Sequence, residues 1–422
     1  MIEEFFSPEE AMPVDQRTRY YNRKVREVVR FAYENAPAVR DRLDKAGVTP
    51  AQIRTVKNLE LIPFISREDI IEMQKENPPY GGLLAMPVPS LYKIIYSPGP
   101  IYVPLATVDY CTAARKILFA MGLRRGDMAI LSMPPLFMAG ASIVDAMALD
   151  GIVGVSAGTG NTELQISMIR DLGIKGYIGT PTFLMNMMKK ADELGYQDIK
   201  LSCALVWGEP LLPEVRQALE RDYHIRLTDG LGIGVGLDFG YVCGEHAGFH
   251  ITEEQFVEVV DPDTGKQLKP GEIGVVVVTG FSNNAFPMIR YKTGDLSKLE
   301  VEPCPCGRTS PRLMGILGRV GDSVKVRALY ITPGQVKSVV SRFPAVAKCQ
   351  VVVSRIGYKD DMTFNIELAD ETIDREKFVN ELQTSFQDAC RLRIDRICFV
   401  PRGAIPEGYK TIVDERSWAV KR

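Results

Sequence analysis

The sequence predicts an α/β fold: a large N-terminal domain of parallel-sheet layers followed by a β segment, and a small α+β C-terminal domain. Three observations predict it. Between about residue 105 and residue 207, apolar strands alternate with helical segments, as in a parallel sheet with crossover helices. After residue 230 the helical spacing gives way to short β runs set between Gly, Pro and Asp turns. The last hundred or so residues return to a mixed order of helices and strands. A boundary after Gly318 divides the chain into domains 1–318 and 319–422.

Residues 15–46 place apolar side chains at three- and four-residue spacing, which predicts helix. Ser66-Arg-Glu-Asp69 is a capping-box-like start for a short helix, with the acid three residues after the serine. A helix over 108–121 leads through Gly126-Asp127 to an apolar strand over 128–133. A small-residue helix (140–149) precedes a strand at 151–156, and a helix over 163–172 precedes a strand from Gly176. A helix over 182–194 then leads to a strand at 204–207. Asp261-Pro-Asp-Thr-Gly265 and Lys269-Pro-Gly-Glu-Ile-Gly274 read as turns around the β run 275–279. The C-terminal unit reads as a helix from Pro333, strands at 349–354 and 363–368, a helix over 374–390 and a strand at 394–400.

Composition excludes several function classes. With 45% apolar residues in 422, the chain has ample material for a large core. The 51 Lys+Arg nearly balance 53 Asp+Glu, so neither charge-driven disorder nor a whole-protein attraction to nucleic acid is expected. No apolar run approaches the roughly 20 residues a membrane span requires. The acidic, proline-interrupted N-terminus is unlike a signal peptide, and the eight scattered Cys fit a reducing, cytoplasmic setting.

Cys304-Pro305-Cys306-Gly307 is the sharpest chemical feature. Two thiols one residue apart in a turn can converge on one soft cation, and zinc then needs two further Cys or His ligands. Cys243-Gly-Glu-His246-Ala-Gly-Phe-His250 offers them in a chain with three His. Cys243 and His250 are favoured, with His246 as the substitute. The alternative is a pair of free thiols in a Gly/Pro turn. A closed four-ligand shell is structural, because catalytic zinc keeps an open position. Gly230-Leu-Gly-Ile-Gly-Val-Gly236 does not match G-x-G-x-x-G and reads as a tight backbone region where side chains would collide. Gly158-Thr-Gly-Asn-Thr162 lacks the phosphate-loop lysine and reads as a turn in which Asn161 or Thr162 caps the next helix. Tyr291-Lys-Thr-Gly-Asp295 ends in a carboxylate of the kind that accepts ribose hydroxyls. Gly208-Glu209-Pro210 follows an apolar strand, where open parallel sheets bind ligands. No Ser/His/Asp or Cys/His nucleophile system is evident, and His224 reads as structural.

Taken in order, these segments resemble the phenylacetate–CoA ligase group of the adenylate-forming, or acyl-CoA synthetase, superfamily. The resemblance runs from Val28-Val-Arg-Phe-Ala-Tyr-Glu-Asn-Ala-Pro37 and Leu61-Ile-Pro-Phe64 through Gly160-Asn-Thr162, Gly179-Thr-Pro-Thr182 and Gly208-Glu-Pro210. It is strongest in 286–295, in Cys304-Pro-Cys-Gly-Arg-Thr-Ser-Pro-Arg312 and in Ile316-Leu-Gly-Arg-Val-Gly-Asp322, and ends at Ile412-Val-Asp-Glu-Arg416. It implies a large adenylate-forming domain, a small lid domain and AMP-forming activation of an aromatic or small organic acid, first as acyl-adenylate and then as acyl-CoA. It implies ATP/AMP, Mg2+, CoA and structural zinc as bound groups, a small carboxylic acid and CoA as partners, and leaves room for a homodimer. By position, Asp295 would hold the ribose and Arg319 would contact ribose or phosphate. Glu209 would sit in the nucleotide loop with Gly208, and Ser97 and Gly99 would lie in the phosphate loop. Lys410 corresponds to the C-terminal lysine that stabilises charge in adenylation, and Phe137 and Trp207 approach the acyl pocket.

The sequence also departs from that pattern. The Ser/Thr/Gly-rich phosphate loop is replaced by Tyr96-Ser-Pro-Gly-Pro-Ile-Tyr-Val-Pro104, and each proline removes an N–H donor and fixes its φ. Asp229-Gly-Leu-Gly-Ile233 lacks the ring expected to stack on adenine and the acid expected to position Mg2+. Gly321 replaces the hinge acid, with Asp322 next to it, and Tyr409 stands where lysine normally follows Gly408. Two alternatives to the ligase reading follow. One is a degenerate homologue that binds a nucleotide or acyl-CoA as a regulatory subunit; the other is an ATP-independent acyl transferase.

Overall fold

The computed structural model of the chain describes residues 5–416, apart from 98–99, 135–136, 197, 234, 236, 323, 327–328, 357–358, 371 and 391. The chain divides into two compact units. The first comprises Met1–Pro270, Val277–Thr293 and Leu299–Met314; the second comprises Gly271–Val276, Gly294–Lys298 and Gly315–Arg422.

In the first unit, the helical stretch expected over 15–46 is two helices, Val14–Asn35 and Pro37–Lys45. Pro37 has no N–H to continue the first helix but suits the first turn of the second, so the break falls at Ala36. The long helix buries Arg17, Tyr21, Val25, Val28, Val29 and Ala32, one stripe at three- and four-residue spacing. Helix Arg67–Glu76 starts as its sequence predicts: the Ser66 hydroxyl accepts from the Asp69 N–H, and Asp69 accepts from the Ser66 N–H.

The first unit is organised by a nine-stranded sheet. Five strands are parallel in the order Val153–Ser156, Met128–Leu131, Gly176–Gly179, Cys203–Val206, Arg226–Ile233. Four antiparallel strands complete it: Leu237–Val242, Phe249–Ile251, Arg312–Leu313 and Leu299–Glu300. Alternation along the strands sends Ile130, Tyr177, Ala204 and Val206 into a core shared with helices Thr162–Leu172 and Pro181–Glu193. The opposite face carries Gly176, where an added Cβ would come within 3.1 Å of Met121 at the end of helix Thr112–Met121. The sheet is therefore covered on both faces, as the uninterrupted apolar strands require. The helix read over 108–121 begins with a short 3-10 turn, Val108–Cys111, held by the Thr107 hydroxyl.

A buried charge network ties distant segments of this unit together. Arg17 donates to Glu253 at 2.8 Å, and Lys116 donates to both Glu253 and Glu254 at 2.7 Å. Removing one partner from such a set costs about 3–5 kcal/mol, because the remaining charge is left buried and uncompensated.

The second unit contains a four-stranded sheet ordered Arg396–Phe399, Lys359–Leu368, Val346–Ile356, Ile412–Asp414. The two long strands are antiparallel and the two outer strands each pair in parallel. Cys349, Val351, Val353, Phe364 and Ile366 face helices Pro333–Val340 and Arg375–Cys390, which supply Val336, Val339, Phe378, Leu382 and Phe386. Strand Ile412–Asp414 and the hairpin of Val324–Val326 with Leu329–Ile331 are not foreseen from sequence. No helix among the described residues is long and apolar enough to cross a membrane.

Candidate functional site

Chain order along the parallel sheet reverses at strand Met128–Leu131. The chain passes from it to Val153–Ser156 on one side, then returns to Gly176–Gly179 on the other. Loops diverge at the C-terminal ends of strands flanking such a switch point, leaving a crevice where open α/β sheets bind ligands. Phe137 comes after the switch strand Met128–Leu131, whereas Trp207, Gly208 and Glu209 follow Cys203–Val206, the parallel strand next to Gly176–Gly179. Trp207 is buried and donates its indole N–H to the Met133 sulfur at 3.2 Å. Gly208 adopts φ +84°. Glu209 turns back so that its carboxylate accepts the Thr182 N–H at 2.7 Å, in the first turn of helix Pro181–Glu193. One carboxylate oxygen is thus engaged in fixing the 208–210 loop on a helix N-terminus. Phe137 is the N-cap residue of helix Met138–Asp150.

The loop 158–161 is a turn and a cap. The Asn161 side chain accepts from the Leu164 N–H, and buried Gln165 donates to the carbonyls of Gly158 and Gly160 while accepting from Ser132. Gly230 belongs to strand Arg226–Ile233, and a Cβ there would come within 3.0 Å of both Leu205 and Trp207. Close packing therefore requires glycine at 230, in a strand whose register with Leu237–Val242 shifts between Leu231 and Gly232. Burial pushes the Asp229 carboxyl up to about 6, against the pull of the Arg216 guanidinium.

The phosphate-loop region is a hairpin of Lys93–Ser97 with Ile101–Leu105. Ser97 pairs with Ile101, and its hydroxyl is buried without a hydrogen-bond partner among the described residues. Gly99, like Pro98, lies outside the described residues.

In the second unit, Asp295 and Arg319 are opposed across an antiparallel pair, with the guanidinium 3.4 Å from the carboxylate. Gly294 has φ +81°, and a Cβ there would lie 3.3 Å from the Arg319 guanidinium. The Arg319 side chain is 59% exposed, so the pair adds little stability and leaves its polar edges accessible. Gly321 lies in the 3-10 turn Val320–Asp322. Lys410 is exposed, follows half-buried Tyr409, and its carbonyl accepts from the Gln350 amide at 3.0 Å.

The thiol and imidazole groups come together. Ligand atoms of Cys243, His250, Cys304 and Cys306 all lie within 4.8 Å of one another. The Cys243 and Cys304 sulfurs are 3.7 Å apart, and the Cys306 sulfur is 3.5 Å from His250 Nε2. Cys243 directly follows strand Leu237–Val242, His250 lies within the next strand, and the other two belong to a turn closed by Gly307 N–H to the Cys304 carbonyl. His246, the substitute ligand, instead sits 3.1 Å from the Arg216 guanidinium. His250 Nδ1 approaches the Ser310 hydroxyl at 3.4 Å, leaving Nε2 toward the sulfurs. Hydrogen bonding from Cys243, then His250, holds the Cys306 thiol well below its usual range. Its partner Cys243 is pushed up by that same bond and by burial. Three thiols and one imidazole, mostly buried, form a donor set suited to tetrahedral zinc with no position left open. Ser310 was not anticipated; its place in Arg308-Thr-Ser-Pro-Arg312 beside the Cys turn was the available signal.

No protein-family model matches the chain. By structure it is similar to 2-hydroxyisobutyryl-CoA ligase in an open conformation with 2-HIB-AMP and CoA. That likeness has a TM-score of 0.90 and 22% identity, and covers 98% of this chain and 95% of the other. The fold is thus that of the adenylate-forming CoA ligases. By sequence it is 30% identical over 381 residues to phenylacetate–coenzyme A ligase of Thermus thermophilus, covering 86% of this chain and 84% of the relative. It is 27% identical over 383 residues to the enzyme of that name from Escherichia coli, covering 87% and 86%. The chain belongs to the phenylacetate–CoA ligase family.

Proposed function

We propose that the chain is an AMP-forming acid–CoA ligase for an aromatic or small organic acid. The observation that carries this reading is the 30% identity to a phenylacetate–CoA ligase, sustained over 86% of the chain. In the first step a carboxylate oxygen of the acid attacks the α-phosphorus of ATP, and pyrophosphate leaves with the bonding pair. In the second, the CoA sulfur attacks the acyl carbon and AMP leaves with the former carboxylate oxygen.

Asp295 accepts the ribose hydroxyls, and Arg319, opposed to it, contacts ribose or phosphate. Gly208 and Glu209 shape the nucleotide loop, Phe137 and Trp207 border the acyl pocket, and Ser97 begins the phosphate loop. Lys410 neutralises charge developing at the α-phosphate. Mg2+ bound with ATP would supply further neutralisation of the phosphates. Residues 319–422 are the lid domain that carries Lys410. Cys243, His250, Cys304 and Cys306 hold a structural zinc that joins the strand pair 237–251 to the turn 304–307.

A second reading, a ligase-derived subunit that binds nucleotide or acyl-CoA without turnover, is favoured by the enclosed Ser97 hydroxyl in the proline-rich hairpin. ATP–pyrophosphate exchange separates the two. The ligase reading expects acid-dependent exchange with a member of a panel of aromatic and short aliphatic acids. No exchange with any acid in folded, zinc-loaded protein, together with calorimetric binding of CoA or acyl-CoA, would replace it with the second.

A further inference from the structure

The segment leading to Lys410 is gripped by one pair of side chains. Lys348 and Glu367 stand directly opposite each other on the two long antiparallel strands of the second unit. They point away from the helix-covered face, since Cys349, Ile366 and Leu368 beside them belong to the core. Glu367 is nevertheless only 3% exposed. Its carboxylate accepts the Ile405 N–H at 2.6 Å. Lys348 donates to the Ile405 carbonyl at 3.3 Å and to the Glu407 carboxylate at 2.6 Å. Both backbone polar groups of one residue are therefore held by one cross-strand acid–base pair, and the Ile405 side chain is buried. The backbone N–H groups of Ile405 and Gly403 hold the Glu367 carboxyl below its ordinary range, as an ionised acceptor requires.

The same sheet face continues the grip toward the lysine. Gln350, two residues beyond Lys348, donates to the Lys410 carbonyl at 3.0 Å, and the Val351 N–H donates to the Thr411 carbonyl. Strand Ile412–Asp414 then pairs in parallel with Val351–Val353. Between the Ile405 clasp and this strand lie Gly408, at φ +72°, Tyr409 and Lys410. Such a pair is an unusual use of a strand's open face: an isolated acid there would be solvated, and burying it beneath a loop costs energy unless its acceptors are filled.

We infer that Glu367 and Lys348 are positioning residues for Lys410. They touch neither substrate nor nucleotide; they fix the 403–410 segment so that the lysine is presented in one orientation. The inference rests on the ligase reading given above, with Lys410 acting in adenylation. It restricts the effect to adenylation, the half-reaction in which that reading gives Lys410 its role.

The test measures both half-reactions in the full-length chain: ATP–pyrophosphate exchange, and acyl-CoA formation from chemically prepared acyl-adenylate. Glu367→Ala and Lys348→Met should each lower exchange about tenfold or more while thioester formation stays within about threefold. Glu367→Gln keeps an oxygen acceptor for the Ile405 N–H and should retain most of the exchange. A parallel measurement needs no activity: trypsin cleavage after Lys410 should be faster in Glu367→Ala than in the native chain or Glu367→Gln. Equal loss of both half-reactions, or unchanged cleavage in Glu367→Ala, overturns the inference. Exchange lost in Lys410→Ala but intact in Glu367→Ala also overturns it while leaving the ligase reading standing. Exchange unaffected in Lys410→Ala removes the role of Lys410 itself.

Discussion

Cys304→Ala should purify with almost no zinc and should be destabilised by about 4 kcal/mol or more, the scale of losing a structural metal. The size follows from position. Cys304 is 4% exposed, and its N–H and carbonyl already close the 304–308 turn through Arg308 and Gly307. Alanine there keeps that turn but opens the ligand shell, leaving the buried Cys243 thiol and His250 imidazole and the half-buried Cys306 thiol with no cation to share. The cluster also joins separate stretches of the first unit, because strand Phe249–Ile251 carries His250 and pairs with Arg312–Leu313 just past the Cys turn. Losing the metal therefore loosens one end of the nine-stranded sheet. His246→Ala serves as the control. Its imidazole approaches Arg216 rather than the sulfurs, so that variant should keep one zinc per chain. Metal analysis with thermal denaturation reads both variants. A zinc-free native protein of unchanged stability would remove the assignment.

Lys410→Ala should reduce adenylation by about two to three orders of magnitude, corresponding to roughly 3–4 kcal/mol of lost charge stabilisation. Thioester formation from supplied acyl-adenylate should change little. Stability should hold as well, because the Lys410 side chain is exposed and its structural bond is made by the main-chain carbonyl. Lys348, a cation that contacts this segment, is engaged by Glu407 and the Ile405 carbonyl. Half-reaction kinetics of the variant decide the matter, and equal loss in both halves would argue for a role other than charge stabilisation.

The parallel core was legible because each of its strands is a short apolar run bounded by Gly, Asp or Pro, followed by a segment of helical period. The convergence of three thiols and one imidazole was legible because Cys304 and Cys306 sit one residue apart and so few imidazoles could complete the set. What sequence did not reveal depends on distance along the chain. The contact of Arg17 with Glu253 spans 236 positions, and nothing local in either residue marks it as buried. Glu367 was missed for a related reason. In a strand of alternating character an acid normally marks the solvated face, and only the 403–407 segment folding over it turns that acid into a clasp. Ile412–Asp414 is too short to carry a period and exists through its pairing with Val351–Val353. The helix break at Ala36 was misread because apolar spacing continues across it, although Pro37 was the signal. The glycines at 158 and 160 were correctly read as a turn, since the cap offered by Asn161 explains them without a ligand.

The central claim is that a carboxylate oxygen bonds to the α-phosphorus and departs with AMP. It is tested most directly by supplying an acid labelled with oxygen-18 in its carboxylate, together with ATP, Mg2+ and CoA, and recovering the nucleotide product for mass spectrometry. The ligase reading predicts AMP carrying one labelled oxygen, formed in step with acyl-CoA. Acyl-CoA formed with the label in inorganic phosphate, or formed without any AMP, would contradict it.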